Sequence, residues 1–421
     1  MLLFATPLGA QQLDHRIAGL IDSISPERLA ATVQVLEAFG TRNTLSDTVS
    51  NTRGIGAARR WIHEQFRRAS PRLQVSFDSY TVPPAGRITR QVELRNVMAI
   101  LPGRSPRRIY VSGHYDTVVL RRGEGQAPPD IDNQPAPGAN DDGSGTALVM
   151  ELARVFGQSG IEFDATLVFI ALAGEEQGLV GAREHARRAA AEKLVVDAVF
   201  NNDIVGGSVA GNGLSDSRTV RVFSEGPEDS PSRQLARYIR DAAARYVPSQ
   251  TVRLVARHDR FGRGGDHSAF NQESFTGVRF SEAAENYSRQ HTVDDTFAGV
   301  DPAYLARTAR VNAAAMASLA LAPAAPVVTW AASRAIPGPI ARGQSGYDAT
   351  LRWRSAAGAS AYLVVWREAW TPDWQFSRVV TDTTAAFPNL SIDDYVFGVA
   401  AVGSGGHESL VAAYVLPARR P

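Results

Sequence analysis

ATLVFIALAGEEQG, residues 165–178, is an apolar run that ends on two carboxylates. It does not alternate polar with apolar residues, so it reads as a strand buried on both faces, as in a parallel sheet between two layers of helices. Glu175 and Glu176 at its end are costly unless paired or metal-bound. The other reading of this pair is the acidic first turn of a helix, which the macrodipole favours. The same pattern recurs along the chain. RNVMAIL (95–101) and RRIYVSG (107–113) are short, apolar and rich in β-branched residues, and VVDAVFNND (195–203) ends on Asp203. Helical stretches lie between them, one with Leu148, Leu152, Val155 and Phe156 on a single face.

This alternation, running from about Leu94, predicts an α/β fold: a mostly parallel central sheet sandwiched by helices. Upstream, Ser25-Pro26-Glu27 caps one amphipathic helix, and Ala57, Trp61, Ile62 and Phe66 mark another after Gly54. Asp301-Pro302 opens a long Ala-rich helix that closes the unit near Pro323. The composition then shifts. Strand-like stretches at Leu351–Trp353, Tyr362–Trp366 and Tyr395–Val402, parted by turns such as GSGG, predict a small all-β sandwich domain. The expected division is an N-terminal segment over 1–24, a large domain over 25–322 and the sandwich over 327–418.

Bulk properties exclude some functions. The 421 residues carry a formal net charge of +1, so no basic field draws nucleic acid. No later stretch is apolar for long enough to span a membrane. Cysteine is absent, which removes disulfides, thiolate metal sites and a cysteine nucleophile; any metal must be held by His, Asp and Glu. The opening MLLFATPLGAQQ resembles the end of a secretory signal, with Ala10 before Gln11, and gives the expectation of a secreted or periplasmic protein. A frayed N-terminus is the other reading.

Five metal-binding side chains follow in order. HYDTVV supplies His114, with Asp116 placed to orient its imidazole. GANDDGSG supplies Asp141 and Asp142, whose mutual repulsion a metal would remove, with Asp141 bridging two ions. Glu176, Asp203 and His291 complete the set, and Glu175 is the spare carboxylate that handles a proton. GGDHSAF, with Asp266 and His267, reads as a loop lining or supporting the site. Each fragment alone has an ordinary reading: a turn histidine, a helix cap, a solvated strand-end aspartate.

The ordered fragments HYD, GANDDGSG, EEQG, the NND strand end and the QHT loop resemble the dinuclear zinc aminopeptidases of the bacterial leucyl aminopeptidase type, relatives of glutamate carboxypeptidase. The likeness covers roughly residues 25–322. It implies two zinc ions per chain, with cobalt or manganese as alternatives. Asp141 would bridge them, His114 and Asp203 would complete one site, and Glu176 and His291 the other. It also implies Asp116 as support for His114, Glu175 as general base and acid, and a cis peptide at Asp141–Asp142. Some relatives have a tyrosine before the last histidine ligand. Here that position is Gln290, and Tyr287 is the nearest replacement as a catalytic group. NLSIDDYVFGVAAVG (389–403) resembles the end of a fibronectin type III domain, through Leu390 and Tyr395.

The implied activity is removal of N-terminal residues from peptides with a free N-terminus. A carboxypeptidase on the same fold would need a cationic pocket, for which Arg260, Arg263 and Arg279 are available. A glutaminyl cyclase would need one zinc only. A receptor-like binding protein would usually have lost ligands. The sandwich is the likelier binding module, for cell-surface or polymeric material, and its deletion after about Pro326 is expected to spare hydrolysis of small substrates.

Overall fold

The chain folds around an eight-stranded sheet whose strands β3, β4, β5 and β8 run parallel side by side. The computed structural model describes residues 13–120 and 134–415. The secretory reading of MLLFATPLGAQQ and the last three residues of the expected sandwich fall outside the described residues. The strands are β1 (Gln74–Val82), β2 (Val92–Leu101), β3 (Arg108–His114), β4 (Thr166–Leu172), β5 (Val196–Asn202), β6 (Thr219–Ser224), β7 (Thr251–Val255) and β8 (Gly277–Glu282). Their order is β1-β2-β4-β3-β5-β8-β6-β7. The four central neighbours pair in parallel. The β1–β2, β2–β4 and β6–β8 pairs are antiparallel.

β4 shows why the centre must be covered twice. Leu167, Phe169 and Ala171 join the larger core, while Val168, Ile170 and Leu172 join a second cluster on the opposite face. Each fully buried Leu, Val, Ile or Phe contributes about 1.5–3 kcal/mol, so such a strand is stable only between two layers. The larger layer holds α1 (His15–Asp22), α2 (Pro26–Ala38), α3 (Gly54–Ala69), α4 (Gly143–Gln158), α6 (Pro231–Tyr246) and α8 (Pro302–Leu321). The other face is covered by α5 (Val180–Ala191) and α7 (His267–Gln272), through Ala182, Ala186, Ala269 and Phe270.

The expected helix starts are found where the capping residues lie. Ser25 accepts the Arg28 N–H with Pro26 in the first turn, and Asp301 accepts from Ala303 and Tyr304. The helical unit begins earlier than residue 25, however. Ile17, Leu20 and Ile21 of α1 pack into the same core as α2 and α8. Among the described residues no helix is long and apolar enough to cross a membrane.

The C-terminal part has two antiparallel sheets. One is ordered β13 (Thr384–Phe387), β10 (Ala349–Arg352), β9 (Ile340–Arg342); the other is β12 (Phe376–Val380), β11 (Ala359–Glu368), β14 (Tyr395–Gly403), β15 (Ala412–Ala413). Leu351, Trp353, Val364, Phe387 and Phe397 fill the space they enclose. This domain is fastened to the first. Arg367 grips both oxygens of Asp229 at 2.8 and 2.7 Å, and the Trp374 indole donates to Gln234 on α6 at 3.0 Å. His407 meets Asp14, the cap of α1, at 3.0 Å.

Candidate metal centre

Parallel strands deliver their carboxyl ends to one edge, and the site is built there. His114 is the last residue of β3, Asp203 directly follows β5, and Glu175 and Glu176 lie just past β4. Asp141 lies in the loop that leads to α4, and His291 in the loop after β8. Two trios of donor atoms result. His114, Glu175 and Asp203 lie within 4.8 Å of one another, as do Asp141, Glu176 and His291. Asp141 joins them, with Oδ1 3.2 Å from Nε2 of His114 and Oδ2 3.0 Å from Nε2 of His291. Nε2 of His114 is 3.8 Å from Asp203, and Nε2 of His291 is 3.3 Å from Glu176.

Neighbouring groups hold each donor in place. Asp116 accepts the backbone N–H groups of Glu175 and Glu176 at 3.1 and 3.2 Å, and its own carbonyl lies 3.1 Å from Nδ1 of His114. The histidine is therefore oriented by the Asp116 backbone more closely than by its carboxylate, which is 3.7 Å away. Asp142 caps α4 through Gly145 and accepts the N–H groups of His114 and Ile204, so one buried carboxylate binds three elements together. The peptide bond between Asp141 and Asp142 is cis. His291 and Ile204 have φ values of 55° and 60°, left-handed conformations that are rare for such side chains and occur where the surroundings impose them.

Burial and the crowding of carboxylates and imidazoles shift the titrating groups of this cluster strongly. Burial raises Glu175, and Asp203, Glu176 and Asp266 push it further above the ordinary carboxylate range. Burial and Asp141 push Glu176 up to about 7. Burial opposes the charging of His291, yet Asp141 and Glu176 push it up to about 10. Glu176 Oε1 is buried without a protein hydrogen-bond donor, and the group near Asp141 Oδ2 is Nε2 of His291, itself a candidate metal donor. Carboxylates and imidazoles with an orphaned oxygen among them fit divalent ions of the zinc, cobalt or manganese kind, since such ions let the carboxylates ionise together.

Other expected residues are placed as follows. Asp266 is buried, neither of its oxygens meets a protein donor, and burial pushes it up to about 8. A Cβ on Gly265 would lie 3.3 Å from Asp203 Oδ2, so the GGDH loop packs against a ligand. His267 opens α7 and is turned toward the His258 carbonyl, at 3.0 Å. Tyr287 is 53 % exposed and does not line the cleft. Gln290 is buried, accepting from Arg263 at 2.7 Å and donating to Glu285 at 3.2 Å.

Two of the three arginines available for a cationic pocket are already committed. Arg279 is fully buried between Asp203 at 3.1 Å and Asp259 at 2.9 Å. Arg260 is paired with Asp259 and Glu285. The sequence reading also missed three supports. Asp295 accepts the N–H groups of Asn140 and Asp141, fixing the bridging residue. Glu282 holds the Asn140 amide and the Gly207 N–H. Arg42 donates to the carbonyls of Tyr115, Pro137 and Gly138, clamping the His114 and Asp141 loops together. Asp295 lies four residues past His291, but nothing local separates it from Asp294 beside it.

With this geometry in place, comparison with known proteins is informative. Residues 96–316 match peptidase family M28. The chain belongs to that family. A Pyricularia oryzae protein named "Probable zinc metalloprotease" is 38% identical over 445 residues, covering 96% of this chain and 85% of that one. Among solved structures, the LapA aminopeptidase of Legionella pneumophila has a TM-score of 0.58 at 21% identity, covering 76% of this chain and 78% of that chain. A glutaminyl cyclase of Porphyromonas gingivalis has a TM-score of 0.55 at 17% identity, covering 70% and 98%. These two likenesses establish the fold of this M28 peptidase; since both chemistries use it, the fold alone does not choose between them.

Proposed function

We propose that this chain is a dinuclear zinc aminopeptidase. The observation that carries the reading is Asp141, which offers one oxygen to each histidine and so joins two trios of donors across a single carboxylate. Three features support it: family membership, the zinc metalloprotease name of the fungal relative and the aminopeptidase among the structural neighbours. His114, Asp141 and Asp203 would hold one ion, and Asp141, Glu176 and His291 the other. Zinc bound there supplies a Lewis acid for the scissile carbonyl and acidifies a water molecule.

The chain's own residues then divide the work. Glu175 reaches the His114 side of the cleft with its backbone pinned by Asp116. It takes a proton from the attacking water and returns it to the leaving amine. Asp116, Asp142 and Asp295 keep the donors in position, which preserves metal affinity and orientation. A single-zinc cyclase is disfavoured because both trios are complete. The sandwich, with Leu390 preceding Tyr395 at the start of β14, is proposed as fibronectin type III-like and as a binder of surface or polymeric material.

The test compares leucyl peptides with free and acetylated N-termini. The free peptide should lose its N-terminal leucine and the acetylated one should remain intact. Release of the C-terminal residue from the acetylated peptide would identify a carboxypeptidase instead.

A further inference from the structure

The cleft over the two trios holds about 400 Å³ and is lined by Asp141, Glu175, Glu176, Asp203 and His291 together with three arginines, Arg87, Arg260 and Arg263. Its carboxylates all belong to the proposed metal site. Arg260 is neutralised by Asp259 and Glu285, at 3.1 and 3.0 Å. Arg87 and Arg263 differ. Among the described residues neither has a carboxylate at ion-pair distance. Arg87 donates to the backbone carbonyl of Glu176 at 2.7 Å, and Arg263 to the side-chain oxygen of Gln290 at 2.7 Å. Both bonds fix a guanidinium through a neutral acceptor, leaving its charge and its other N–H groups uncompensated.

The two anchors share a location. Glu176 is a member of the Asp141 trio, and Gln290 is next to His291, its other member. Two positive groups thus flank the same half of the site, in a cleft whose carboxylates are assigned to metal binding or, for Glu175, to proton transfer. A guanidinium free to form a paired contact matches the two oxygens of a planar carboxylate, the anionic group a peptide carries. An arginine merely solvated at a rim would have no fixed acceptor beside the reacting centre.

We infer that the cleft selects short peptides bearing a carboxylate close to the scissile bond, gripped by Arg87 and Arg263. This deepens the aminopeptidase reading and rests on it. The carboxylate could come from the C-terminus of a dipeptide or from an acidic N-terminal side chain, and the chemistry recognised is the same.

The test is calorimetric titration of the zinc-loaded protein carrying Glu175→Gln, which suppresses turnover, with Leu-Ala, Leu-Ala amide and Glu-Leu amide. At least one carboxylate-bearing peptide should bind about 10- to 100-fold more tightly than Leu-Ala amide, the worth of a charge-assisted contact. Whether Leu-Ala or Glu-Leu amide gains tells which carboxylate is read. Adding Arg87→Gln or Arg263→Gln should remove most of the gap, and lysine at either position should restore part of it. Affinities within threefold of one another would overturn the inference, as would a gap that survives both glutamine substitutions. Hydrolysis of Leu-Ala amide, which has no carboxylate, by the unaltered enzyme tests the aminopeptidase reading separately. If that is absent while the gap persists, the catalytic reading fails and carboxylate recognition stands.

Discussion

Glu175 and Glu176 are chain neighbours with separate surroundings. Glu176 faces His291 and Asp141, and Glu175 lies with His114 and Asp203. On this account Glu176 holds metal and Glu175 moves a proton. Glu175→Gln keeps the shape and removes the base, so kcat should fall about 10²- to 10⁴-fold while zinc content by elemental analysis is unchanged. An equal loss of zinc would make Glu175 a ligand instead. Four of the five proposed ligands, His114, Asp141, Glu176 and Asp203, were legible because each ends or follows an apolar strand or stands beside a second carboxylate, whereas His291, in a polar loop, was read only as completing the set. Asp295, Arg42 and Arg87 were not legible. Asp295 acts on the backbone of Asp141, 154 residues away, and Arg42 on carbonyls 73 to 96 residues distant. Such contacts exist only after the chain has folded and leave no local mark.

Elements were read well where capping and periodicity agreed. Ser25-Pro26 and Asp301-Pro302 fixed two helix starts, and the apolar runs at 95–101, 107–113, 165–173 and 195–203 overlap β2 to β5, although β2 begins earlier, at Val92. Helix α1 was missed as part of the core because eight residues give too little periodicity to separate it from a frayed start. Its cap offers a test by pH. Asp14 accepts the Arg16 N–H at 2.8 Å and is ion-paired to the Arg16 guanidinium, which with His407 holds its carboxyl well below the ordinary value of 3.8. A carboxylate whose folded pKa is depressed contributes stability above its unfolded value and loses it as the pH falls toward the folded one. Asparagine keeps the cap but not the charge. Asp14→Asn should therefore cost about 0.5 kcal/mol between pH 5 and 8, a small figure because the pair is solvent-screened, and the difference should shrink below about pH 4. Thermal melts of both proteins across that range would show it; a gap that widens on acidification would refute the assignment.

At the scale of the whole molecule, the C-terminal sandwich is more than a tethered appendage. Arg367, buried, grips Asp229 ahead of α6, and Trp374 reaches Gln234 on that helix, while Leu410 packs on the core of the first domain. Arg367→Met leaves Asp229 without its partner and should cost roughly 3 kcal/mol in urea denaturation, the lower end for breaking a buried pair. Deleting the chain after Pro326 keeps every site residue but uncovers this face, so the truncated protein should melt at lower temperature even if it still cleaves small substrates. The account as a whole rests on two ions held across Asp141. The most direct measurement strips the protein of metal and adds zinc stepwise, following bound zinc and leucine p-nitroanilide hydrolysis together. Two zinc ions per chain, with activity lost on stripping and restored on loading, is the predicted result. A folded chain that binds both ions and remains inert, or that binds none, would contradict it.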